Sequence, residues 1–366
     1  MTKWTKRKVG KDLLELLKKL TNLHGPCGYE QPVSKWIKEM MIPLVDEVNV
    51  DSLGNVVAKK KGLKLGKTTI ITAHMDEIGF IVKKIEKNGL IRFEKLGGHD
   101  DRILLAQKVQ IRTKGGLITG VIGTISAHYA KFDDPKKVRN HRQLYIDIGV
   151  NNEEDALRLG IRVGDPITWY PTIDVLGNET TGRIVGKGFD DRAGCAVLIR
   201  TLQELQNYSI SGEVIAMFTV QEEVGLRGAE VSARQVEADV AIAIDTTAVS
   251  DTPEETMDQS LALGAGAGIK IMDFSLIAHP AVKDSLVELA ESKNIPFQLE
   301  VFPGIGTDGG AVSLANKGIP TGVISIPSRY AHSPVEVIDL KDLEASKDLL
   351  VTFLTSDQYT VFPFVE

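Results

Sequence analysis

Two adjacent carboxylates, Glu222 and Glu223, follow a short apolar run at 213–218 that has the composition of a buried strand. Gly225 then allows the chain to turn. Where a strand ends, both side chains can point into the crevice beyond the sheet, which is where open α/β sheets bind their ligands. Two carboxylates held together repel each other unless one is protonated or a cation lies beside them. The pair therefore predicts further metal ligands at neighbouring strand ends.

Histidine and aspartate side chains follow the other predicted strands and turns. They are His74 and Asp76 after 68–73, Asp190 before a helix predicted near Ala193, Asp245 after 239–244, and His332 after 322–327. A single Asp in such a place is most often a turn residue or a helix N-cap, so the repetition carries the prediction. A set of His and carboxylate without thiolate is typical of a catalytic zinc, cobalt or manganese site.

The motifs, taken in order, resemble those of the dinuclear-metal aminopeptidases. They are His74-Met75-Asp76-Glu77, Gly188-Phe189-Asp190-Asp191-Arg192, Glu222-Glu223-Val224-Gly225, Asp245 and Ala331-His332-Ser333. Within that group the chain is similar to the glutamyl, deblocking and tetrahedral aminopeptidase family, some members of which are labelled endoglucanases. The resemblance extends from about Leu14 to about Leu354. It implies a mixed-sheet α/β/α catalytic domain of the dizinc exopeptidase type, with an inserted β-barrel domain.

The resemblance also implies a ligand set for two divalent ions per subunit, with zinc or cobalt favoured. Asp190 would bridge the two ions, because a carboxylate has two oxygens to share. Glu223 and His332 would complete one site. His74 and Asp245 would complete the other.

Two further carboxylates receive roles that do not involve metal coordination. Asp76 would accept a hydrogen bond from the second imidazole nitrogen of His74, which fixes the tautomer of a ligand. Glu222 would act as general base toward a metal-activated water and would pass the proton to the leaving amine. The expected activity is metal-dependent removal of N-terminal residues from peptides.

Substrate contacts are less well defined by the sequence. Asp308 lies in a Gly-Thr-Asp turn that the family carries beside its active site, and Lys270 and Arg329 are basic candidates for holding an acidic side chain. Solvated surface positions are an equally good interpretation of the two basic residues. An acidic, a neutral and a broad N-terminal preference all stay open.

Short β-like runs separated by glycine turns occupy residues 79–178. We interpret them as a β-rich domain inserted between the two parts of a catalytic domain, 1–78 and 179–366. The histidines of the insert, at positions 99, 128 and 141, follow no predicted strand of the catalytic domain and are interpreted as non-catalytic. In the family resembled, this insert forms dimers, which build a tetrahedral shell of twelve subunits.

Composition excludes several classes of protein. Of the 366 residues 43% are hydrophobic and 25% charged, which is ordinary for a globular protein, and a net charge of -6 argues against nucleic acid as a partner. No apolar run approaches the ~18 residues that span a membrane. Two distant cysteines, Cys27 and Cys195, predict no disulfide framework and fit a cytoplasmic location, and Cys27 is interpreted as structural.

Two alternative functions are weighed against the aminopeptidase. A glycoside hydrolase needs two carboxylates about 5–10 Å apart across a sugar, but Glu222 and Glu223 are adjacent in sequence. An aromatic content of 6% is also thin for a sugar-stacking cleft. A non-catalytic, oligomeric metal-binding protein would have no need of Glu222.

Overall fold

The computed structural model describes residues 6–134, 136–178 and 181–365, with side chains from residue 12 onward. None of the helices in these ranges is both long enough and apolar enough to cross a membrane. Within the same ranges there are eight α-helices: α1 Lys6–Thr21, α2 Gln31–Met41, α3 Glu153–Arg158, α4 Phe189–Glu204, α5 Arg227–Ala233, α6 Pro280–Lys293, α7 Asp308–Ser313 and α8 Leu340–Thr355.

The β-strands of the described residues form one large open sheet and one closed barrel. They are β1 Glu47–Val50, β2 Val56–Lys61, β3 Lys64–His74, β4 Gly79–Ile85, β5 Ile91–Leu96, β6 Lys108–Thr113, β7 Gly116–Ile122, β8 Ile146–Asp147, β9 Pro166–Trp169, β10 Ile173–Val175, β11 Arg183–Gly186, β12 Ser211–Thr219, β13 Val240–Ala248, β14 Ala267–Met272, β15 Phe297–Val301, β16 Thr321–Arg329 and β17 Glu336–Asp339.

The large sheet has 11 strands, with the main order β1-β2-β12-β3-β13-β16-β17-β11-β10 and β14 and β15 attached through β16. Its central strands β12, β3, β13 and β16 run parallel, the outer pairs of the main order are antiparallel, and β14 and β15 are parallel to each other. Alternate residues of these strands face opposite sides: Ile71 packs with α1, α4 and α8, whereas Ile70 packs with α5 and α7. The predicted α/β/α layering with a mixed sheet is therefore confirmed.

The predicted barrel is also confirmed. Strands β4-β5-β8-β7-β6-β9 close on themselves around a separate apolar core. In that core the rings of Phe93 and Trp169 lie edge-on to Phe80, with ring centroids 5.0 and 4.9 Å away. The strands of the barrel end at Trp169, and β10 already pairs with β11 in the large sheet.

Two strands extend further than their apolar runs predicted. β13 does not end before Asp245 but continues to Ala248 through pairing with β16, and β16 extends to Arg329. The prediction of a strand end at Asp245 was wrong because the continuation is polar, although Thr246 and Thr247 are buried. Asp245 instead lies just beyond the last residue of β13 that pairs with β3.

Candidate active site

The carboxyl ends of β3, β12, β13 and β16 meet at one edge of the large sheet because these strands are parallel. His74 is the last residue of β3, and Glu222 and Glu223 follow β12 by a few residues. Asp190 lies at the start of α4, where its φ of -77° and ψ of 107° are not helical. His332 follows β16 in a loop and has a φ of 62°, which is uncommon for a non-glycine residue.

The five predicted metal ligands lie within a few ångströms of each other around Asp190. Nε2 of His74 lies 3.1 Å from Oδ1 of Asp190 and 3.6 Å from Oδ1 of Asp245. Nε2 of His332 lies 3.3 Å from Oδ2 of Asp190 and 3.1 Å from Oε1 of Glu223. The two oxygens of Asp190 therefore face two different imidazoles, which is the arrangement that a bridging carboxylate needs.

The donor set fits divalent metal ions. The ligand atoms of His74, Asp190 and Glu223 lie within 4.8 Å of one another, and those of His74, Asp191 and Asp245 form a second such group. Oε1 of Glu223 is buried and, among the described residues, has no polar partner besides Nε2 of His332 at 3.1 Å. Buried carboxylates are stable when they coordinate a metal or are paired, and imidazole with carboxylate suits zinc and similar ions.

Asp191 is a member of this cluster to which the sequence assigned no role. It is fully buried, and its Oδ1 accepts a hydrogen bond from the backbone N–H of Gly194 at 2.8 Å. Burial, with the negative charge of Asp245, raises the pKa of Asp191 well above its usual range. Its place beside Asp190 in the motif Gly188-Phe189-Asp190-Asp191-Arg192 was the signal that the sequence offered.

Concentrated negative charge dominates the electrostatics of the site. Burial opposes protonation of His332, yet the carboxylates of Glu223 and Asp190 raise its pKa to about 12. At His74 burial likewise opposes protonation, but Glu222 and Asp190 raise the pKa of the imidazole well above its usual range. The raised pKa of both imidazoles reflects this excess of carboxylates, which divalent cations bound by the neutral imidazoles and the carboxylates would offset.

Like His332, Glu222 belongs to neither of the two groups of ligand atoms that lie within 4.8 Å of one another. Its Oε2 lies 3.9 Å from Nε2 of His74, and the residue is only 9% exposed. Burial raises the pKa of Glu222 well above its usual range, and the charges of Asp245 and Glu223 add to this effect while His74 opposes it. A buried carboxyl group of raised pKa beside metal ligands can exchange protons with a reacting group.

Asp76 connects the ends of two strands. The side-chain contact predicted with His74 is long, 3.5 Å from Nδ1 to Oδ1, and Nδ1 donates instead to the backbone oxygen of Asp76 at 3.1 Å. The carboxylate of Asp76 accepts the backbone N–H groups of Glu222 and Glu223 at 3.0 and 3.2 Å. This link between the His74 and Glu222 segments could not be read from the sequence.

A buried group of charges lies behind His74. Nζ of Lys187 donates to both carboxylate oxygens of Glu77 at 2.7 Å. The guanidinium of Arg192 donates to the backbone oxygens of Met75 and Leu20 at 2.6 Å and lies 3.4 Å from Glu77. These contacts join the segment after β3 to the turn before α4, so they hold two ligand-bearing segments together.

The three predicted substrate contacts lie outside the cluster of ligand atoms, and each has a partner within the chain. Lys270 is not a solvated surface residue, because its ammonium is fully buried 3.0 Å from Glu300. Arg329 forms a two-pronged ion pair with Asp251 at 2.7 and 2.9 Å.

Asp308, the third predicted substrate contact, is 3% exposed and accepts a hydrogen bond from Thr219 at the end of β12. Burial raises the pKa of Asp308 to about 7, with the charges of Asp245 and Asp76 adding to the effect and His74 and Thr219 opposing it. These interactions place Asp308 beneath the strand ends that carry the ligands.

The barrel closes one side of the site. A Cβ atom on Gly98, in the loop after β5, would lie 3.2 Å from Nδ1 of His332, and one on Gly97 would lie 3.3 Å from Cβ of Glu223. His99 does not share this contact, since its ring stacks on Phe80 and its Nε2 donates to the backbone oxygen of Gly79 at 2.8 Å. The sequence offered no sign that the insert reaches the ligands.

Both cysteines are free and buried. Burial, with the negative charge of Asp76, raises the pKa of the Cys27 thiol, and the Cys195 thiol donates to the backbone oxygen of His74 at 3.1 Å. Thiols held protonated in this way are poor nucleophiles.

The sequence matches the family described as M42 glutamyl aminopeptidase over residues 54–349. A protein of Acetivibrio thermocellus is 40% identical, with 93% of this chain and 98% of the relative covered. A lysyl aminopeptidase of Pyrococcus furiosus is 32% identical over 90% of this chain and 93% of its own length. A glutamyl aminopeptidase of Lactococcus lactis is 30% identical over 94% and 96%.

Solved structures of similar proteins have the same fold. An aminopeptidase of the archaeon Desulfurococcus kamchatkensis superposes with a TM-score of 0.90 at 42% identity and covers 96% of both chains. The TET1 peptidase of Pyrococcus horikoshii, which can assemble into a tetrahedron or a large octahedral shell, gives 0.84 at 33% identity over 94% and 99%. A Thermotoga maritima protein named endoglucanase superposes with a TM-score of 0.75 at 34% identity, with 92% of this chain and 96% of that protein covered.

Proposed function

This chain belongs to the M42 glutamyl aminopeptidase family, and we propose that it hydrolyses N-terminal peptide bonds with Glu222 as general base at a site for two divalent metal ions. That the chain is an aminopeptidase follows from the family and from its named relatives. The observation that most supports the two-ion site is the position of Asp190, whose Oδ1 lies 3.1 Å from His74 and whose Oδ2 lies 3.3 Å from His332.

Five side chains would hold the ions. His74, Asp245 and Asp190 would bind one, and Asp190, Glu223 and His332 would bind the other. Zinc or cobalt suits these donors best. When bound, such ions supply Lewis acidity, which polarises a carbonyl group and makes water a stronger acid.

Glu222 would carry the proton. Its carboxylate takes a proton from the attacking water and delivers it to the nitrogen of the leaving amine, so that the base becomes the acid within one turnover. Asp76 holds the backbone of Glu222 and Glu223 through two hydrogen bonds, which fixes the base relative to the ligands. His332 has 37% of its side chain exposed, so this ligand would be accessible to an entering peptide.

The free amino group of a peptide carries a positive charge, and the excess of carboxylates at this edge of the sheet would attract it. That attraction favours an exopeptidase. A preference for an acidic N-terminal residue gains no support from Lys270 or Arg329, whose charges are already paired with Glu300 and Asp251. The glutamyl and lysyl relatives differ in the same property, so we propose no preference for this chain.

The roles of the two adjacent glutamates can be separated by substitution. Glu222→Gln keeps the shape of the side chain but removes the base, so peptide hydrolysis should fall about 10²–10⁴-fold while metal content stays near two ions per chain. Glu223→Gln should weaken one of the two metal sites, because it removes a charged ligand oxygen. Asp76→Asn should cost about 10–100-fold in metal affinity, because the carboxylate of Asp76 holds the backbone N–H of the ligand Glu223.

Hydrolysis of aminoacyl-anilides and elemental analysis on the same preparations decide between these outcomes. Full activity in Glu222→Gln would contradict the roles assigned to Glu222 and Glu223. Loss of metal from Glu222→Gln with none from Glu223→Gln would contradict them as well. The glycoside hydrolase alternative is not favoured, because Glu223 faces His332 among the ligand atoms instead of lying across a sugar cleft from Glu222. Hydrolysis of a β-glucan by the same preparations would revive that alternative.

We further propose that the chain forms homo-oligomers through its barrel, as dimers that build a dodecamer, and that it acts in the cytoplasm. The dodecameric and tetrahedral assemblies of TET1 peptidase support the first proposal, and the two free cysteines are consistent with the second. Light scattering at micromolar concentration should give a mass well above that of one chain. A monomeric mass would contradict the role given to the barrel.

A further inference from the structure

Glu336, the first residue of β17, is a buried carboxylate that accepts three backbone N–H groups. Its Oε2 accepts from Phe189 and Asp190 at 2.5 and 3.1 Å. Its Oε1 accepts from His332 at 3.1 Å. One side chain thus connects the turn that carries Asp190 with the loop that carries His332.

The two connected segments are irregular in conformation. Asp190 has non-helical φ and ψ, and His332 lies in the left-handed region with a φ of 62°. Buried N–H groups in irregular backbone need acceptors from elsewhere in the fold, because no helix or strand ladder supplies them. Glu336 supplies those acceptors, with 1% of its surface exposed.

His74 and Asp245, the two ligands that belong only to the other metal site, are held differently. His74 is the last residue of β3 and is paired with Thr219 of β12, and Asp245 is paired with Ser325 of β16. The strand ladder itself fixes their backbone. Asp190 and His332 lie outside the strands, and the carboxylate of Glu336 accepts a backbone N–H group from each of them.

We propose that Glu336 is a positioning residue that sets the geometry of one metal site, the site formed by Asp190, Glu223 and His332. The inference rests on the proposed two-ion function. Glu336 does for Asp190 and His332 what Asp76 does for the backbone of Glu222 and Glu223. It binds no metal itself and touches no reacting atom.

Glu336→Gln tests the inference with little change of volume. The substitution replaces one carboxylate oxygen by an NH₂ group, which cannot accept a hydrogen bond. This group must face either the backbone N–H of His332 or those of Phe189 and Asp190. The variant should therefore bind the ion held by His332 about 10–100-fold more weakly, the usual effect of losing such a support, and weaken the other ion less, because only the shared ligand Asp190 is disturbed there. Zinc titration at buffered free concentrations, with elemental analysis, measures both affinities.

Asp342→Asn is the matched control. Asp342, on α8, is also a fully buried carboxylate that accepts two backbone N–H groups, from Gly264 and Gly266 at 2.7 and 2.8 Å. It contacts no candidate ligand, so this variant should lose stability but retain both ions at wild-type affinity. His332→Ala gives the reference for a site that has lost a ligand.

Each result has one meaning. If the wild-type protein holds two ions and Glu336→Gln binds both as tightly, the inference is wrong, and it is equally wrong if both ions are weakened alike. If the wild-type protein holds fewer than two ions, the proposed function fails instead. Should Glu336→Gln not fold, Glu336→Asp replaces it, since the shorter side chain keeps the charge but draws the acceptors back, and the same selective loss is expected.

Discussion

The carboxyl edge of the large sheet buries charged side chains, whereas the interior of the barrel is apolar. Behind His74 the sheet buries Lys187, Glu77 and Arg192, each with at most 1% of its surface exposed. The barrel buries Phe80, Phe93, Trp169 and aliphatic side chains, and keeps ion pairs such as that of Lys83 with Glu94 at its surface.

The difference indicates which interactions fix the atomic positions in each region. Apolar packing stabilises a fold but tolerates small shifts of its side chains, whereas a buried charge is tolerable only when its partners are close. We therefore infer that the buried charges at the sheet edge cost stability but fix the backbone. A site of converging ligands requires such fixed backbone positions. The barrel has no such requirement in its core, and its loop at Gly97 and Gly98 approaches the ligands.

Lys187→Met should give the largest effect on stability. It leaves Glu77 buried with only the 3.4 Å contact to Arg192, so the free energy of unfolding should fall by about 3–5 kcal/mol. In the barrel, Lys83→Met removes a partner of Glu94 from a pair in which the lysine is 53% exposed, and the cost should stay below about 1 kcal/mol.

Urea unfolding of the two variants and the wild-type protein provides the measurement. Similar losses for the two lysines would mean that the buried group of charges is not the source of order at the sheet edge. The contrast between the two regions would then have to be given up.

Gly98→Ala should give a smaller effect and tests a contact between the barrel and the site. The added methyl group would lie 3.2 Å from Nδ1 of His332, closer than most such contacts, so the imidazole must move by a few tenths of an ångström. Affinity for the ion held by His332 should fall about 10-fold, at the low end of what indirect supports contribute.

Gly115→Ala is the matched control in the same barrel. Its added methyl group would find its nearest neighbour at 3.7 Å, so metal affinity should not change. Chelator competition with zinc measures both variants. Equal affinities in Gly98→Ala and Gly115→Ala would show that the barrel and the metal site are independent.

Much of the fold could be predicted from local pattern. Leucines at helical spacing predict a helix over 12–23, which the structure shows as α1 Lys6–Thr21, and the helix predicted at roughly 31–41 is α2 Gln31–Met41. The strands before His74 and Glu222 were recognisable as apolar runs, and glycine turns between short runs predicted the barrel. Polar stretches of strand were missed, as at Thr246 and Thr247 of β13, because burial of a threonine in a central strand depends on neighbours that are distant in sequence.

The sequence by itself determined which chemistry is available: two histidines and several carboxylates following strands, in the order that resembles a dinuclear aminopeptidase. Only the tertiary structure decided that the two oxygens of Asp190 face different imidazoles, and that Glu336 joins the backbone of Asp190 to that of His332. It also placed Gly98 of the barrel against His332. The physical reason is that periodicity and turn residues report local conformation, whereas these contacts depend on strand register and loop paths that bring distant segments together.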